Sequence, residues 1–129
     1  MIAPRKTRFE NAQPILRVSN MSISVRYYVD VLGFQSADWG NDDFTMLSRD
    51  QAFIYLCRGS QGSAGTWVWV GVKDADALYS EYRASGARVQ QAPRNYPWAY
   101  EFHVADPDGH VLRFGSEPKS DKPFESWLE

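Results

Sequence analysis

The chain has a single cysteine, Cys57, among its 129 residues. One thiol excludes an internal disulfide and a zinc site built on cysteines. Cys57 lies in the apolar run Ala52-Phe53-Ile54-Tyr55-Leu56-Cys57 and reads as a small buried hydrophobe. Histidine is equally sparse, with only His103 and His110. There is no run of basic residues, and the net charge is −2, which argues against nucleic acid as a partner and slightly favours a cationic ligand. No apolar window is long enough to span a bilayer, and the charged start of the chain, through Arg8, has no apolar stretch behind it. No membrane association and a cytoplasmic location are therefore expected.

Aromatic residues, by contrast, are abundant: five Trp, seven Tyr and seven Phe. They suit a stacking pocket or a well-filled sheet core. The length fits one domain with one core.

Residues 1–11 are polar and aperiodic, a tail or arm. Gln13 to Val18 alternates as a strand. Asn20 is placed to cap a helix over Met21 to Val31, with Val25, Tyr28 and Leu32 on one face and Gly33 as its left-handed stop. Short strands follow at Phe34 to Ala37, Phe44 to Ser48 and Ala52 to Cys57, the turns between them at Asn41-Asp42-Asp43 and Arg49-Asp50-Gln51. Residues 59–65, rich in Gly and Ser, form a linker.

The order then repeats. Thr66 to Val72 is a strand, Asp74 a cap, Ala75 to Ser85 a helix ended by Gly86. Strands follow near Arg88 to Gln91, Ala99 to Val104 and His110 to Gly115. Placing Val18 on Val72 brings Asn20 onto Asp74 and Tyr28 onto Tyr82, so each half reads β-α-β-β-β. The expectation is an α+β chain of two modules, 12–58 and 66–116, forming a curved mixed sheet around a cleft. The tail 117–129 has Phe124, Trp127 and Leu128 on one face of a possible short helix opened by Pro123.

Alternation sorts the strands into two faces. Leu16, Val18, Ile54, Leu56, Val68, Val70, Val72, Leu112 and Phe114 form a largely aliphatic set suited to lie under helices. Gln13, Ile15, Arg17, Phe53, Tyr55, Trp67, Trp69 and Arg113 mix aromatic and polar groups, as a ligand cleft or a dimer interface does. Glu101 and His103 point to one side of their strand and read as a structural pair or an acid–base pair.

Asp106-Pro107-Asp108-Gly109-His110 joins the last two strands as a tight turn. This motif before a final apolar strand resembles the closing hairpin of the vicinal oxygen chelate superfamily, which includes glyoxalase I, extradiol dioxygenases and bleomycin resistance proteins. The resemblance implies paired βαβββ modules around a cleft. It places the superfamily's four metal ligands at Gln13, Tyr55, Trp67 and Arg113. Trp offers no usable lone pair and Arg is cationic, so no metal and no cofactor is expected there.

A closer resemblance runs through residues 13 to 116. Asp42-Asp43-Phe44, Arg49-Asp50, Trp67-Val68-Trp69-Val70 with Leu78-Tyr79, and Pro97-Trp98 with Glu101-Phe102 resemble, in order and spacing, the antibiotic-sequestering bleomycin resistance proteins. That family implies a homodimer which binds a flat, cationic small molecule by aromatic stacking in clefts between subunits, without catalysis. The resemblance matches Phe44 and Trp98 to stacking residues; strand alternation adds Tyr55, Trp67, Trp69 and Arg113, and Glu101 beside His103 completes the expected ligand-binding set. The alternative is a lyase, isomerase or dioxygenase-like enzyme of the same superfamily with a degenerate or displaced metal site.

Overall fold

The computed structural model describes residues 6–126. Leu16, with the alternating residues on either side, forms β1 (Ile15–Arg17). The Asn20 side chain accepts the Ile23 N–H at 3.1 Å and so starts α1 (Met21–Arg26). The expected helix through Val31 does not stay regular. From Tyr27 to Val31 it widens into a π-helical turn, with the Leu32 N–H on the Tyr27 carbonyl. The widening coincides with two adjacent tyrosines, both buried, which an unbroken helix face would not point inward together. Gly33, at φ 77°, then turns the chain into β2 (Gln35–Ser36). β3 (Phe44–Arg49) and β4 (Ala52–Cys57) form a hairpin whose turn sets Asp50 at φ 51°.

The second half repeats the scheme. β5 (Trp67–Gly71) leads to α2 (Ala75–Ser85), capped by Asp74 and stopped by Gly86 in the left-handed conformation. β6 (Arg88–Asn95), β7 (Tyr100–Ala105) and β8 (Val111–Ser116) follow. β6 runs four residues past its expected end at Gln91, passing two register shifts against β7. β7 starts at Tyr100, so Trp98 lies in the bend before the strand and not in it.

Two four-stranded mixed sheets result, β1-β4-β3-β2 and β5-β8-β7-β6. Each has one parallel pair, between the first and last strands of its module, and two antiparallel pairs. The helices and the inward faces of both sheets share one core, in which Leu16, Leu56 and Tyr28 of the first half meet Tyr82, Phe102, Leu112 and Phe114 of the second. The aliphatic set lies on this side as expected, though Val68 and Val70 on edge strand β5, and Val72 just after it, are only half-buried. Cys57 is buried.

The tail departs from expectation. Residues 117–126 form no helix, and Pro123 opens none. Trp127 and Leu128 lie outside the described residues. The segment is instead tied to buried Asn95, whose amide donates to the carbonyls of Lys119 and Lys122 and accepts the Lys119 N–H. The Asn95 carbonyl takes the Glu125 N–H at 2.7 Å. Among the described residues no helix is long and apolar enough to cross a membrane.

Candidate functional site

On the outer face of the second sheet, strand registry sets two rows side by side. Trp69 pairs with Arg113 and Arg113 with His103. One step along, Gly71 pairs with Gly115 and Gly115 with Glu101. The two glycines leave the second row bare between strand edge and Glu101. The Trp69 indole lies down in that space: a Cβ on Gly115 would stand 2.9 Å from Trp69 Cζ2, and one on Gly71 3.0 Å from Cζ3. In this pose Trp69 Nε1 donates to Glu101 Oε2 at 3.2 Å.

Glu101 is the hub of the face, and it is fully buried. Trp98 Nε1 donates to the same oxygen at 3.1 Å. His103 Nε2 meets Oε1 at 2.9 Å, and Arg113 donates to Oε1 through Nε at 2.7 Å and through Nη2 at 2.5 Å. Burial pushes the Glu101 carboxyl up, but the bonds from His103, Arg113 and Trp69 outweigh it and hold the group below the usual carboxylate range. An ionised carboxylate only accepts, so His103 Nε2 is a donor. A carboxylate with this many donors anchors its neighbours and has no oxygen left for a proton in transfer.

Around this hub the three indoles are about half-exposed. Trp67 is 57% exposed, Trp69 52% and Trp98 46%. The Trp67 indole meets the His103 ring edge-on at 5.7 Å, and Trp98 stacks on Tyr96 at 4.8 Å with the planes 4° apart. Five of the expected ligand-binding residues, Trp67, Trp69, Trp98, Glu101 and Arg113, are thus brought together.

The other two, Phe44 and Tyr55, lie on the first sheet. Their rings stack at 5.3 Å, and Trp39 stacks on Phe44 at 6.2 Å. Trp39 is exposed at the end of the 37–41 loop, where Thr45 Oγ1 donates to its carbonyl. Sequence reading missed it because a loop has no periodicity from which to assign a face. Among the described residues no hydrogen bond or ring contact joins the two aromatic groups. Within one chain they are separate surfaces.

The four positions matched to metal ligands divide in the same way. Gln13 lies two residues before β1 and Tyr55 is in the first sheet, whereas Trp67 and Arg113 are in the second. Tyr55 is stacked on Phe44 and Arg113 is committed to Glu101, so this donor set does not fit a divalent ion. Among the described residues no group of three or more His, Cys, Asp or Glu is placed to hold one. Gln13 Oε1 is buried without a hydrogen-bond partner. It lines a cavity of about 760 Å³ between the two halves, which reaches Trp69 but not Phe44, Tyr55, Trp67 or Trp98.

The model of the Glyoxalase/Bleomycin resistance protein/Dioxygenase superfamily matches residues 11–114. The chain is similar to a bleomycin-binding protein from bleomycin-producing Streptomyces verticillus, solved with copper(II)-bleomycin, at 26% identity and TM-score 0.75 over 88% of this chain and 99% of that one. It is similar in fold to TnmS3, an antibiotic binding protein from Streptomyces sp. CB03234, at 21% identity and TM-score 0.74, covering 88% and 99%. A virulence protein from Salmonella typhimurium shares the fold at 20% identity and TM-score 0.69, covering 91% and 99%. No curated protein sequence matches.

Proposed function

The chain belongs to the Glyoxalase/Bleomycin resistance protein/Dioxygenase superfamily, and from that premise we propose that it is a non-enzymatic binding protein which sequesters a flat, antibiotic-like small molecule by aromatic stacking. The observation that carries this reading is the Glu101 hub. Three half-exposed indoles surround one buried carboxylate, and two of them are held by it through their N–H groups. Rings held in place before a ligand arrives lose little freedom on stacking, so more of the contact energy appears as affinity. A cationic ligand fits the net charge of −2. The similar Streptomyces verticillus protein is named for binding bleomycin, which supports the ligand class and gives a route to antibiotic resistance.

The two aromatic surfaces of one chain share no contact. A homodimer in which the Phe44–Tyr55 group of one copy faces the Trp67–Trp69–Trp98 group of the other makes one cleft from both. The enzymatic alternative needs an acid–base group, and here Glu101 and His103 are committed to each other and to Arg113.

The test is a titration with bleomycin and with other planar cations, followed by tryptophan fluorescence. Quenching at micromolar concentration is expected, and its absence for every planar compound removes the reading. Trp98→Ala takes one donor from the buried Glu101 carboxylate and so should lower melting somewhat, and it weakens binding by about 1–3 kcal/mol, the cost of an interface anchor. An unchanged dissociation constant with a lowered melting temperature removes Trp98 from the site. Light scattering at micromolar concentration should give the mass of a dimer; a monomer rejects the shared cleft.

A further inference from the structure

The charge pattern under the tryptophans specifies more than flatness. Glu101 is the only carboxylate on this face among the described residues bonded to the indoles, and it has no exposed surface and no free oxygen. Its charge is matched inside the protein by Arg113. A cationic ligand group therefore meets no available anion there. Arg113 is different. Its Nε and Nη2 are bonded to Glu101, its Nη1 has no partner among the described residues, and its side chain is 32% exposed. The Arg113–Glu101 pair fixes the guanidinium plane at the strand position between Trp69 and His103, and leaves Nη1 as its one nitrogen not bonded to Glu101. A guanidinium held in one orientation by a buried partner is a directed donor for a planar acceptor.

We propose that the Trp67–Trp69–Trp98 face takes the end of a flat ligand that carries a hydrogen-bond acceptor conjugated with its ring, a carboxylate or a carboxamide, and that Arg113 Nη1 donates to that group. The ring stacks on an indole while the acceptor in its plane reaches Arg113. Any cationic part of the ligand lies away from this face. The inference rests on the reading of this face as the ligand-binding one.

Calorimetric titration of the full-length protein with three probes of equal ring size tests it: 2-naphthoate, 2-naphthamide and 2-naphthylmethylammonium. Naphthoate should bind about tenfold more tightly than the ammonium, as one charge-assisted hydrogen bond predicts, with the carboxamide between them. The order of the first two separates a carboxylate from a neutral carbonyl as the preferred acceptor. Arg113→Lys keeps a cation beside Glu101 but loses the planar guanidinium, so it should abolish the preference of naphthoate over the ammonium. Because the comparison of probes on the unaltered protein decides the matter alone, a variant that folds poorly does not. Ammonium binding as tight as naphthoate overturns the inference and leaves the stacking reading standing. Failure of all three to bind overturns both.

Discussion

At the scale of single residues, two glycines and a carboxylate matter as much as the tryptophans. Gly115 has no need of an unusual backbone conformation; it is small because the Trp69 ring lies over it. Gly115→Ala should push the indole off Glu101, since the ring edge is the part able to move. We expect a red-shifted tryptophan emission and weaker ligand binding, by about 1 kcal/mol or more, with melting lowered only slightly. Unaltered emission and affinity would show that the seat is not needed. Glu101 makes a prediction about pH. Its folded pKa is depressed, so its contribution to stability is complete above the ordinary glutamate range and is lost as pH falls from that range through the lower folded value. Asp106 has the opposite sign. Burial raises its pKa, it binds its proton more readily when folded, and it offsets part of the loss. Glu101→Gln should therefore flatten the acid limb of denaturant-derived stability against pH, while costing about 2 kcal/mol at neutral pH, a value reduced because Arg113 is a third exposed. An unchanged acid limb would assign it to other carboxylates. Of this hub only the Glu101–His103 pair was legible in the sequence, from alternation. Alternation put Trp69 and Arg113 in plausible places, but a saturated hub is a property of three strand positions and one bend meeting at one carboxylate.

At the scale of elements, caps and stops were legible and irregularities were not. Asn20, Asp74, Gly33 and Gly86 act as read, because capping is a local contest between side chain and backbone for the first or last free amides. The π-helical turn at Tyr27 answers instead to distant partners. Tyr27 OH donates to the Ala105 carbonyl and Tyr28 OH to Asp106, both about eighty residues away. The tail behaves in the same way. Its amphipathic spacing suggested a helix, yet Asn95 ties 119–125 down in a non-helical turn by offering a donor and two acceptors in one buried place. Asn95→Ala should free this strap. Limited trypsin treatment would then cut after Lys119 several times faster than in the unaltered chain, with the sheet protected; equal rates would mean that other contacts hold the tail.

At the scale of the molecule, the halves are joined by polar bonds as well as by their common core. His110 is fully buried, with Nδ1 accepting the Thr66 N–H at 2.9 Å and Nε2 on the Arg17 carbonyl at 2.6 Å. It links the end of β1 to the start of β5. Tyr82 OH donates to the Leu32 carbonyl, and Arg49 pairs with Glu81 at 2.7 Å across the same junction. The histidine after the turn glycine thus has a structural task. His110→Ala leaves a partly buried amide and a partly buried carbonyl without the ring as partner and should cost about 2–4 kcal/mol in chemical denaturation, with one cooperative transition retained. A loss below about 0.5 kcal/mol would mean that water replaces the ring.

The sequence by itself determined the βαβββ repeat, the caps, the closing hairpin and the face on which each strand residue lies, because periods of two and of 3.6 residues and the demands of turns are local. It also placed most of the aromatics of both surfaces. Only the tertiary structure decided that these form two separate groups within one chain, that Glu101 is enclosed by the indoles and Arg113 it orients, that Trp39 joins Phe44 and Tyr55, and that the tail is strapped to Asn95. Each of these depends on contacts between residues distant in the chain. Such contacts form only when both sheets close on one core, and no local pattern records them.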